Sequence, residues 1–247
     1  MGDKRTQKYQ GYQDYLIKNK KRGLKGKCEN FFKKNKLLEK IFYRLTNISV
    51  KKLEKLPNIQ KARKVLDIGC GTGDTLVYIN KFINKNIKLF GVDLEKNKQL
   101  PNIVNFKTCN IEDEVLPFES NTFDIVISNF ILEHLTKPQN LFSESFRVLK
   151  KGGFLYCTTE YFTSLFCPDS WNFYSDPTHV RPWTKRSLET LAFINNFEVY
   201  KVGTIKWWEF LPLMPVFPLL NLVSTSNFSF IPFEIIGRTV YITCKKP

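Results

Sequence analysis

Residues 65–74 read VLDIGCGTGD, and this stretch decides the fold. Apolar and β-branched residues before Gly69 are typical of a buried strand, and the pattern after Gly73 is typical of a helix. Glycines at 69, 71 and 73 permit a sharp turn and let a ligand lie against bare backbone. The stretch therefore predicts a strand, a ligand-binding turn and a helix in succession.

Strands and helices alternate on the C-terminal side of this turn. The residue patterns predict strands at 64–69, 87–93, 103–109, 123–129 and 153–159, a closing strand at 239–244, and helices at 73–84 and 138–150. Such alternation indicates an α/β fold, with a doubly wound and mostly parallel sheet covered by helices on both faces. In this architecture ligands bind beyond the carboxyl ends of the strands, where the first strand meets its helix.

Acidic residues around the glycines narrow the kind of ligand. Asp93 ends the second predicted strand, a position from which a carboxylate can accept hydrogen bonds from both ribose hydroxyls of a nucleoside. Asp74 stands where a dinucleotide fingerprint needs its third glycine, and an acid at a helix N-terminus repels phosphate. A nucleoside without a pyrophosphate is favoured over the alternative of a structural turn capped by Asp74.

Residues 60–160 resemble the class I S-adenosylmethionine-dependent methyltransferases, in particular members that act on small molecules or are encoded with glycan genes. The resemblance rests on VLDIGCGTGD, GVDLEKN, CNIEDEVLPFESNTFDIVISNFILEHLTKP and LKKGGFLYCTT. It implies a seven-stranded Rossmann-like sheet and S-adenosylmethionine as cofactor. It also implies cofactor contacts from the glycine turn, from the ends of the next strands and from an adenine-flanking step, at Asp67, Gly69, Cys70, Gly71, Gly73, Asp93, Leu94, Asn110, Ile111 and Asn129. Many relatives have Asp in place of Asn110.

The chain has two histidines, and both lie in candidate catalytic positions. His134 follows the fourth predicted strand, and His179 lies in a loop between Pro177 and Pro182. Either imidazole could serve as general base for an acceptor hydroxyl, with Arg181 holding an anionic part of the acceptor. The structural alternatives are a helix cap at Glu133 and His134, and a loop-stabilising hydrogen bond at His179.

A metal is the competing interpretation of the same residues. Glu133, His134 and His179 resemble the Glu-His and distal His metal ligands of small-RNA terminal 2′-O-methyltransferases. Phe130 stands where that family usually has a further glutamate. No metal ligand is therefore assigned from the sequence, and the base and metal alternatives stay open.

Charge divides the chain unevenly. The net charge is +15, and residues 1–64 carry all of this excess, with 20 Lys and Arg against 5 Asp and Glu. We divide the chain into a basic N-terminal extension, residues 1–60, and a methyltransferase domain, residues 61–247. Apolar residues at helical spacing predict one or two amphipathic helices over 30–56, and the extension is expected to cover the cofactor or acceptor.

A basic arm attracts anionic lipid, nucleic acid or an acidic glycan, but a merely solvated arm has the same composition. Six scattered cysteines without a CxxC pair favour a reducing cytosol over a disulfide framework. The proline-broken apolar segment 207–223 is expected to form core or an acceptor pocket, or to meet the inner membrane surface together with the arm. A cytoplasmic protein with peripheral membrane contact is the expectation.

The sequence as a whole predicts an enzyme that methylates an oxygen of a sugar, a lipid-linked glycan or another small metabolite. An RNA methyltransferase is the first alternative, because the arm is basic, although no RNA-binding module is recognisable. A non-catalytic adenosylmethionine-binding regulator is the second. The acceptor would be bound by the least regular parts, residues 1–60 and 160–235, so the fold does not identify it.

Overall fold

A computed structural model of the chain describes residues 35–167, 172–208, 235 and 237–247. The α-helices in these ranges are α1 (Lys36–Thr46), α2 (Asp74–Tyr78), α3 (Pro138–Val148) and α4 (Lys185–Ile194). The strands are β1 (Lys64–Ile68), β2 (Lys88–Asp93), β3 (Val104–Thr108), β4 (Phe123–Asn129), β5 (Leu149–Glu160), β6 (Glu198–Ile205) and β7 (Thr239–Lys245). Short 3₁₀ segments lie at Ile48–Lys55, Leu132–His134, Phe162–Phe166 and Phe173–Ser175.

The seven strands form one sheet in the order β3-β2-β1-β4-β5-β7-β6. Strands β1 to β5 are parallel to one another, and β7 runs antiparallel to both β5 and β6. The chain order reverses at β1, which lies between β2 and β4, so the crevice that binds ligands in such sheets opens beyond the carboxyl ends of these strands. The predicted Rossmann-like sheet is confirmed.

The central strands form because they can be buried on both faces. Val65, Leu66 and Ile68 of β1 and Ile125 and Val126 of β4 are all at most 1% exposed. Continuous apolar runs of this kind suit parallel strands that helices cover on both sides. Burial of these side chains supplies most of the favourable free energy of folding and holds the strand ends in register.

One predicted helix differs in its hydrogen bonding, and one predicted boundary was wrong. The helix predicted over 73–84 is α2 followed by a π-helical turn, Ile79–Ile83. The helix predicted over 138–150 ends at Val148, because Leu149 is already extended (φ −69°, ψ 142°) and pairs with Phe123 of β4. Strand β5 therefore begins four residues before the predicted position at 153.

The sequence analysis missed two elements. Helix α4 starts at a capping box, in which Thr184 and Ser187 exchange side-chain to backbone hydrogen bonds. Strand β6 lies at the edge of the sheet and its first four residues are exposed, so it lacks a buried apolar run. Both follow the predicted domain core and complete the seven-stranded sheet.

The chain divides into two compact units, Met1–Lys51 and Lys52–Pro247, close to the predicted boundary at residue 60. In the first unit α1 begins at Asn35, whose side chain accepts hydrogen bonds from the backbone N–H groups of Leu37 and Leu38. This helix confirms the described part of the amphipathic region predicted over 30–56. No helix in the described ranges is long and apolar enough to cross a membrane. The remainder of the basic arm and nearly all of the apolar segment 207–223 lie outside the described residues.

Candidate active site

The glycine turn joins β1 to α2 at the carboxyl edge of the sheet. Gly69, Gly71 and Gly73 have φ values of 75°, 49° and 77°, in the left-handed region that favours glycine. A Cβ atom on Gly69 would lie 2.1 Å from Ile131 Cδ1, so the turn is closely packed on that side. A Cβ atom on Gly71 would meet nothing within 4 Å. Gly71 therefore borders open space at the turn.

Asp93 at the end of β2 holds the glycine turn in place. Its Oδ2 accepts a hydrogen bond from Gly71 N at 2.9 Å, and its Oδ1 accepts one from Leu94 N at 2.8 Å. Each carboxylate oxygen can accept a second hydrogen bond, so the group can also accept from two ligand hydroxyls. Burial raises the pKa of Asp93, against the effect of the two backbone donors. The predicted ribose contact is compatible with this geometry.

Asp67 on β1 is a buried carboxylate with an unsatisfied oxygen. The residue is 3% exposed, and its Oδ1 has no hydrogen-bond partner among the described residues. Burial, and then the charge of Asp93, raise the pKa of Asp67 well above its ordinary value. A buried acceptor without a donor is costly, and a cationic ligand group would remove that cost. The residues at the turn thus fit the amino-acid end and the ribose of S-adenosylmethionine.

Cys70 and Leu94 contribute in different ways from the two acids. The Cys70 side chain is buried against Gly91 of β2, where an added Cβ atom would lie 2.7 Å from its Sγ atom. Its carbonyl accepts from Gly73 N at 2.8 Å, so Cys70 shapes the turn from within. Leu94 follows Asp93 directly and is partly exposed beside it.

The other residues expected at the cofactor lie in the loops after β3 and β4. Asn110 Oδ1 accepts from Glu112 N at 3.1 Å, and Ile111 is buried. Asn129 donates from Nδ2 to Thr75 Oγ1 at 3.4 Å, which joins the end of β4 to the first turn of α2. These positions surround the glycine turn on the same edge of the sheet, and their cofactor contacts stay predictions.

Glu133, His134 and His179 come together beyond the end of β4. One ligand atom from each of the three side chains lies within 4.8 Å of the others. The two imidazole ring centres are 4.7 Å apart, and Val180 N donates to the Glu133 carbonyl at 2.7 Å. This backbone bond ties the loop that carries His179 to the 3₁₀ turn that carries the other two residues. The structure thus brings together three candidate residues that the sequence had linked only through their resemblance to a known pattern.

The hydrogen bonds around the imidazoles identify their tautomers. Thr178 Oγ1 lies 2.5 Å from Asp176 Oδ1, and a carboxylate only accepts, so the Thr178 hydroxyl donates to it. The same oxygen must then accept from His134 Nδ1, 2.8 Å away. His179 Nδ1 lies 2.7 Å from the Phe173 carbonyl, which also only accepts. In the neutral form of either ring the proton is therefore on Nδ1, and Nε2 carries the lone pair.

Burial favours the uncharged forms of His134 and Glu133. Desolvation, and then the neighbouring His179, lower the pKa of His134 to about 4. Desolvation also raises the pKa of Glu133 to about 8, although Thr159 Oγ1 donates to its Oε2 at 2.8 Å. Glu133 is 1% exposed and lies inside the 3₁₀ turn Leu132–His134, whose N-cap residue, Ile131, makes no side-chain cap. The loop-stabilising bond expected as the alternative for His179 is present, and it uses Nδ1 alone.

Arg181 lies next to the cluster on the same loop. Its Nη2 donates to the Thr136 carbonyl at 2.8 Å, and its guanidinium carbon is 5.8 Å from the Trp183 ring centre. The side chain is exposed and retains further N–H donors. Its expected contact with an anionic acceptor stays a prediction.

Sequence reasoning missed the residues that hold the cluster in place. Asp176 and Thr178 orient His134, Thr159 at the end of β5 orients Glu133, and Glu112 accepts from the backbone N–H groups of Thr136 and Lys137. The local signal was the Asp-Pro-Thr-His string at residues 176–179. The partner of Thr178 is 44 residues away in the chain, which no local pattern reveals.

Comparison with known proteins agrees with the fold and the glycine turn. A family model described as a methyltransferase domain matches residues 66–157. The demethylmenaquinone methyltransferase of Geobacillus sp. (strain WCH70) is 31% identical over 113 residues, which cover 40% of this chain and 46% of that protein. The enzyme of the same name from Staphylococcus aureus (strain MRSA252) is 31% identical over 43% of this chain and 47% of its own length. The matched segment thus spans about half the length of these relatives.

Solved structures share the fold over a larger part of the chain. A chain from the complex between the Haloferax volcanii Trm112 methyltransferase activator and a putative methyltransferase has a TM-score of 0.65 and 18% identity, covering 84% of this chain and 93% of that one. A methyltransferase from Archaeoglobus fulgidus has a TM-score of 0.58 and 20% identity, with coverage of 91% and 100%. Residues 66–157 thus match a methyltransferase domain, and the sheet has the fold of these solved structures.

Proposed function

We propose that the protein binds S-adenosylmethionine at the glycine turn and transfers its methyl group to an oxygen of a sugar, a lipid-linked glycan or another small metabolite. The observation that carries the proposal is the pair of buried acids on either side of this turn. Asp67 has an oxygen that lacks a donor, and Asp93 anchors Gly71, which borders open space. Asp67 suits a cationic group and Asp93 suits a diol, and this cofactor has an ammonium group in its amino-acid part and a diol in its ribose.

Each part of the cofactor has a residue suited to it. Asp67 would accept from the ammonium group, Asp93 from both ribose hydroxyls, and the Asn110–Ile111 step would flank the adenine. When bound, the cofactor supplies a methyl group on a positively charged sulfur, and its transfer leaves a neutral thioether. The protein then has to align the acceptor, which can account for several kcal/mol of barrier reduction.

The acceptor side is best supported at the cluster of Glu133, His134 and His179. Ile131 packs against Gly69, and Asn129 contacts Thr75, so the chain segment that carries this cluster starts at the cofactor turn. An imidazole with its lone pair on Nε2 can either take the proton of an acceptor hydroxyl or bind a cation that lowers the pKa of that hydroxyl. Similar proteins carry names of small acceptors, among them demethylmenaquinone and geranyl diphosphate. These names support a small-molecule acceptor and do not identify it.

Labelled-methyl transfer into a fractionated cell extract tests this proposal. The purified full chain is incubated with S-adenosylmethionine carrying a labelled methyl group and with extract, before and after RNase treatment. We expect label in an RNase-resistant product of low or lipid-linked mass, stable to mild acid and base as an ether is. Label that RNase releases would indicate an RNA acceptor and contradict the proposal.

A matched variant shows that the label depends on the cluster. His179→Asn keeps a donor close to the position of Nδ1 and removes Nε2, so the bond to the Phe173 carbonyl can persist. We expect labelling to fall at least tenfold while adenosylmethionine affinity stays within about twofold, because general base catalysis contributes about 10² to 10⁴ in rate. Unchanged labelling would remove His179 from the reaction.

A further inference from the structure

We propose that Glu133, His134 and His179 bind one divalent transition-metal cation, of the class that combines imidazole and carboxylate ligands. Two imidazole nitrogens and one carboxylate on adjacent segments form the three-ligand arrangement that leaves coordination positions open to a substrate. Zn²⁺, Co²⁺ and Mn²⁺ belong to this class.

The spacing requires only a small movement. The three candidate ligand atoms lie within 4.8 Å of one another. Ligand atoms at about 2.1 Å from a common ion are about 3 to 3.5 Å apart, so the side chains must close by at most about 1.3 to 1.8 Å. Side-chain rotation accommodates this change, because the backbone of the two segments is already joined by the bond from Val180 N to the Glu133 carbonyl.

Both imidazoles are oriented as metal ligands are. A histidine that binds a metal usually donates its other ring N–H to a carbonyl or to a group that a carboxylate polarises. His179 Nδ1 donates to the Phe173 carbonyl, and His134 Nδ1 donates to Thr178 Oγ1, which in turn donates to Asp176. These bonds present Nε2 of both rings as the ligand atom. Glu133 has a comparable support, because Thr159 Oγ1 donates to its Oε2.

The surrounding charge favours a dication. Glu133 and Asp176 are the two carboxylates next to the imidazoles, with Asp176 Oδ2 3.9 Å from His179 Nε2. The neighbouring carboxylate, Glu160, is already balanced by Arg238 at 3.2 Å. On binding, Glu133 would give up its proton to become a carboxylate ligand, and the divalent cation would offset the negative charge of Glu133 and Asp176 in a site where burial makes charge costly.

The role of this cation at the acceptor rests on the proposed function. An acceptor hydroxyl on an open coordination position would lose its proton to water more readily, because the cation lowers its pKa. The oxygen then forms a bond to the methyl carbon while the carbon–sulfur bond breaks, and the electron pair of that bond stays on sulfur. The cation itself keeps its oxidation state throughout.

Direct titration of the metal-free full chain tests the site. Co²⁺ is followed by its visible absorption, and Zn²⁺ by calorimetry in competition with a chelator. We expect one Co²⁺ per chain with nitrogen and oxygen ligands, and Zn²⁺ binding with a Kd below about 10 μM. His134→Asn and His179→Asn each keep the Nδ1-like donor and remove the ligand nitrogen, so each is expected to weaken Zn²⁺ binding at least 100-fold. Glu133→Gln is expected to weaken it by at least tenfold.

Glu160→Gln is the matched control, since it removes a neighbouring buried carboxylate that lies outside the ligand set. It is expected to change Zn²⁺ affinity less than threefold. No Co²⁺ spectrum, a spectrum dominated by sulfur ligands, or equal Zn²⁺ binding in the wild type and the three ligand variants would overturn the proposal. Circular dichroism of each variant shows whether it is folded before it is titrated.

Zn²⁺ binding by Thr178→Val tests whether the hydrogen bond that orients His134 contributes to the metal site. The substitution keeps the shape of the side chain and removes the hydroxyl that orients His134, so Zn²⁺ affinity is expected to fall 10- to 100-fold, as for other outer-sphere partners. A change below twofold would contradict the arrangement. Adenosylmethionine binding is measured on the same samples. If the protein binds the metal but not the cofactor, the proposed function is refuted and the metal site stands.

Discussion

Buried or partly buried carboxyl groups lie toward both ends of the parallel strands, and their partners differ between the two ends. At the amino-terminal end, Asp124 of β4 forms an ion pair with Lys150 at 2.6 Å. At the carboxyl end, Asp67, Asp93 and Glu133 have no cationic partner in the part of the chain that the structure describes. Asp124 is therefore positioned for a structural contact. Asp67, Asp93 and Glu133 are positioned as acceptors for a bound ligand.

The pKa shifts have opposite signs at the two ends. Burial acts against ionisation of Asp124, but Lys150 and the backbone N–H groups of Lys64 and Arg63 outweigh it and lower its pKa. Burial raises the pKa of Asp67 and Asp93, and no cation among the described residues offsets this effect. Strongly perturbed acids that cluster in a crevice are typical of functional sites. The comparison therefore places function at the carboxyl edge independently of any family resemblance.

The largest effect is expected from Asp93→Asn. The amide keeps the size of the side chain but loses the charge and one acceptor, so a ribose diol loses one charge-assisted hydrogen bond and keeps a weaker one. We expect adenosylmethionine affinity to fall about 30- to 100-fold, or about 2 to 3 kcal/mol, measured by calorimetry. Asp124→Asn is the same substitution at the opposite end and should leave the affinity within about twofold. Equal losses in both variants would break the comparison.

An intermediate effect is expected from Gly71→Ala, with Gly152→Ala as its control. Both glycines have positive φ, at 49° and 76°, and an added Cβ atom at either would meet nothing within 4 Å. Both variants should therefore lose about 1 kcal/mol of stability through backbone strain. Only Gly71 borders the proposed cofactor, so only Gly71→Ala should weaken adenosylmethionine binding, by about tenfold. Equal affinities in the two variants would show that the cofactor does not approach this turn.

The smallest effect concerns the pH dependence of stability, and it has opposite signs at the two ends. The lowered pKa of Asp124 stabilises the fold above about pH 4, and this contribution is lost as the pH falls through the folded-state pKa. Asp124→Asn should thus reduce the free energy of unfolding at pH 7 by about 1 kcal/mol or less, because the ion pair is partly exposed. The deficit should shrink toward pH 3.

Asp67→Asn should show the reverse trend. The raised pKa of Asp67 means that wild-type protein loses stability as the pH rises above about 4, where the unfolded chain releases this proton more readily. The variant should therefore gain stability relative to wild type between pH 4 and 7, measured by urea unfolding without cofactor. If the stability difference from wild type changed with pH in the same direction in Asp67→Asn and Asp124→Asn, the opposite roles of these two carboxyl groups would be contradicted.

Local patterns were enough to locate the cofactor side. The glycine turn, Asp67 and Asp93 all lie within one strand-helix-strand unit, where turn chemistry and burial depend on neighbours in the chain. Strands β1 to β4 were predicted to within one residue for the same reason. Regular apolar runs with short connections leave few alternatives for such segments.

Tertiary contacts decided the rest. Edge strand β6 pairs with only one strand, β7, so its residues carry no strong apolar pattern. The hydrogen bond between His134 and Thr178 joins two loops that are far apart in the chain, so residue spacing in the sequence does not reveal it. The candidate ligands could be named from the sequence, but only the structure shows that their atoms converge.

Calorimetric titration of the full chain with S-adenosylmethionine tests the central claim most directly. We expect the wild-type protein to bind one equivalent saturably with a Kd of about 100 μM or tighter. The affinity for the cofactor should be clearly lower in Asp93→Asn but not in Asp124→Asn. Absence of binding by folded protein at millimolar cofactor, or the same affinity in all three proteins, would contradict it.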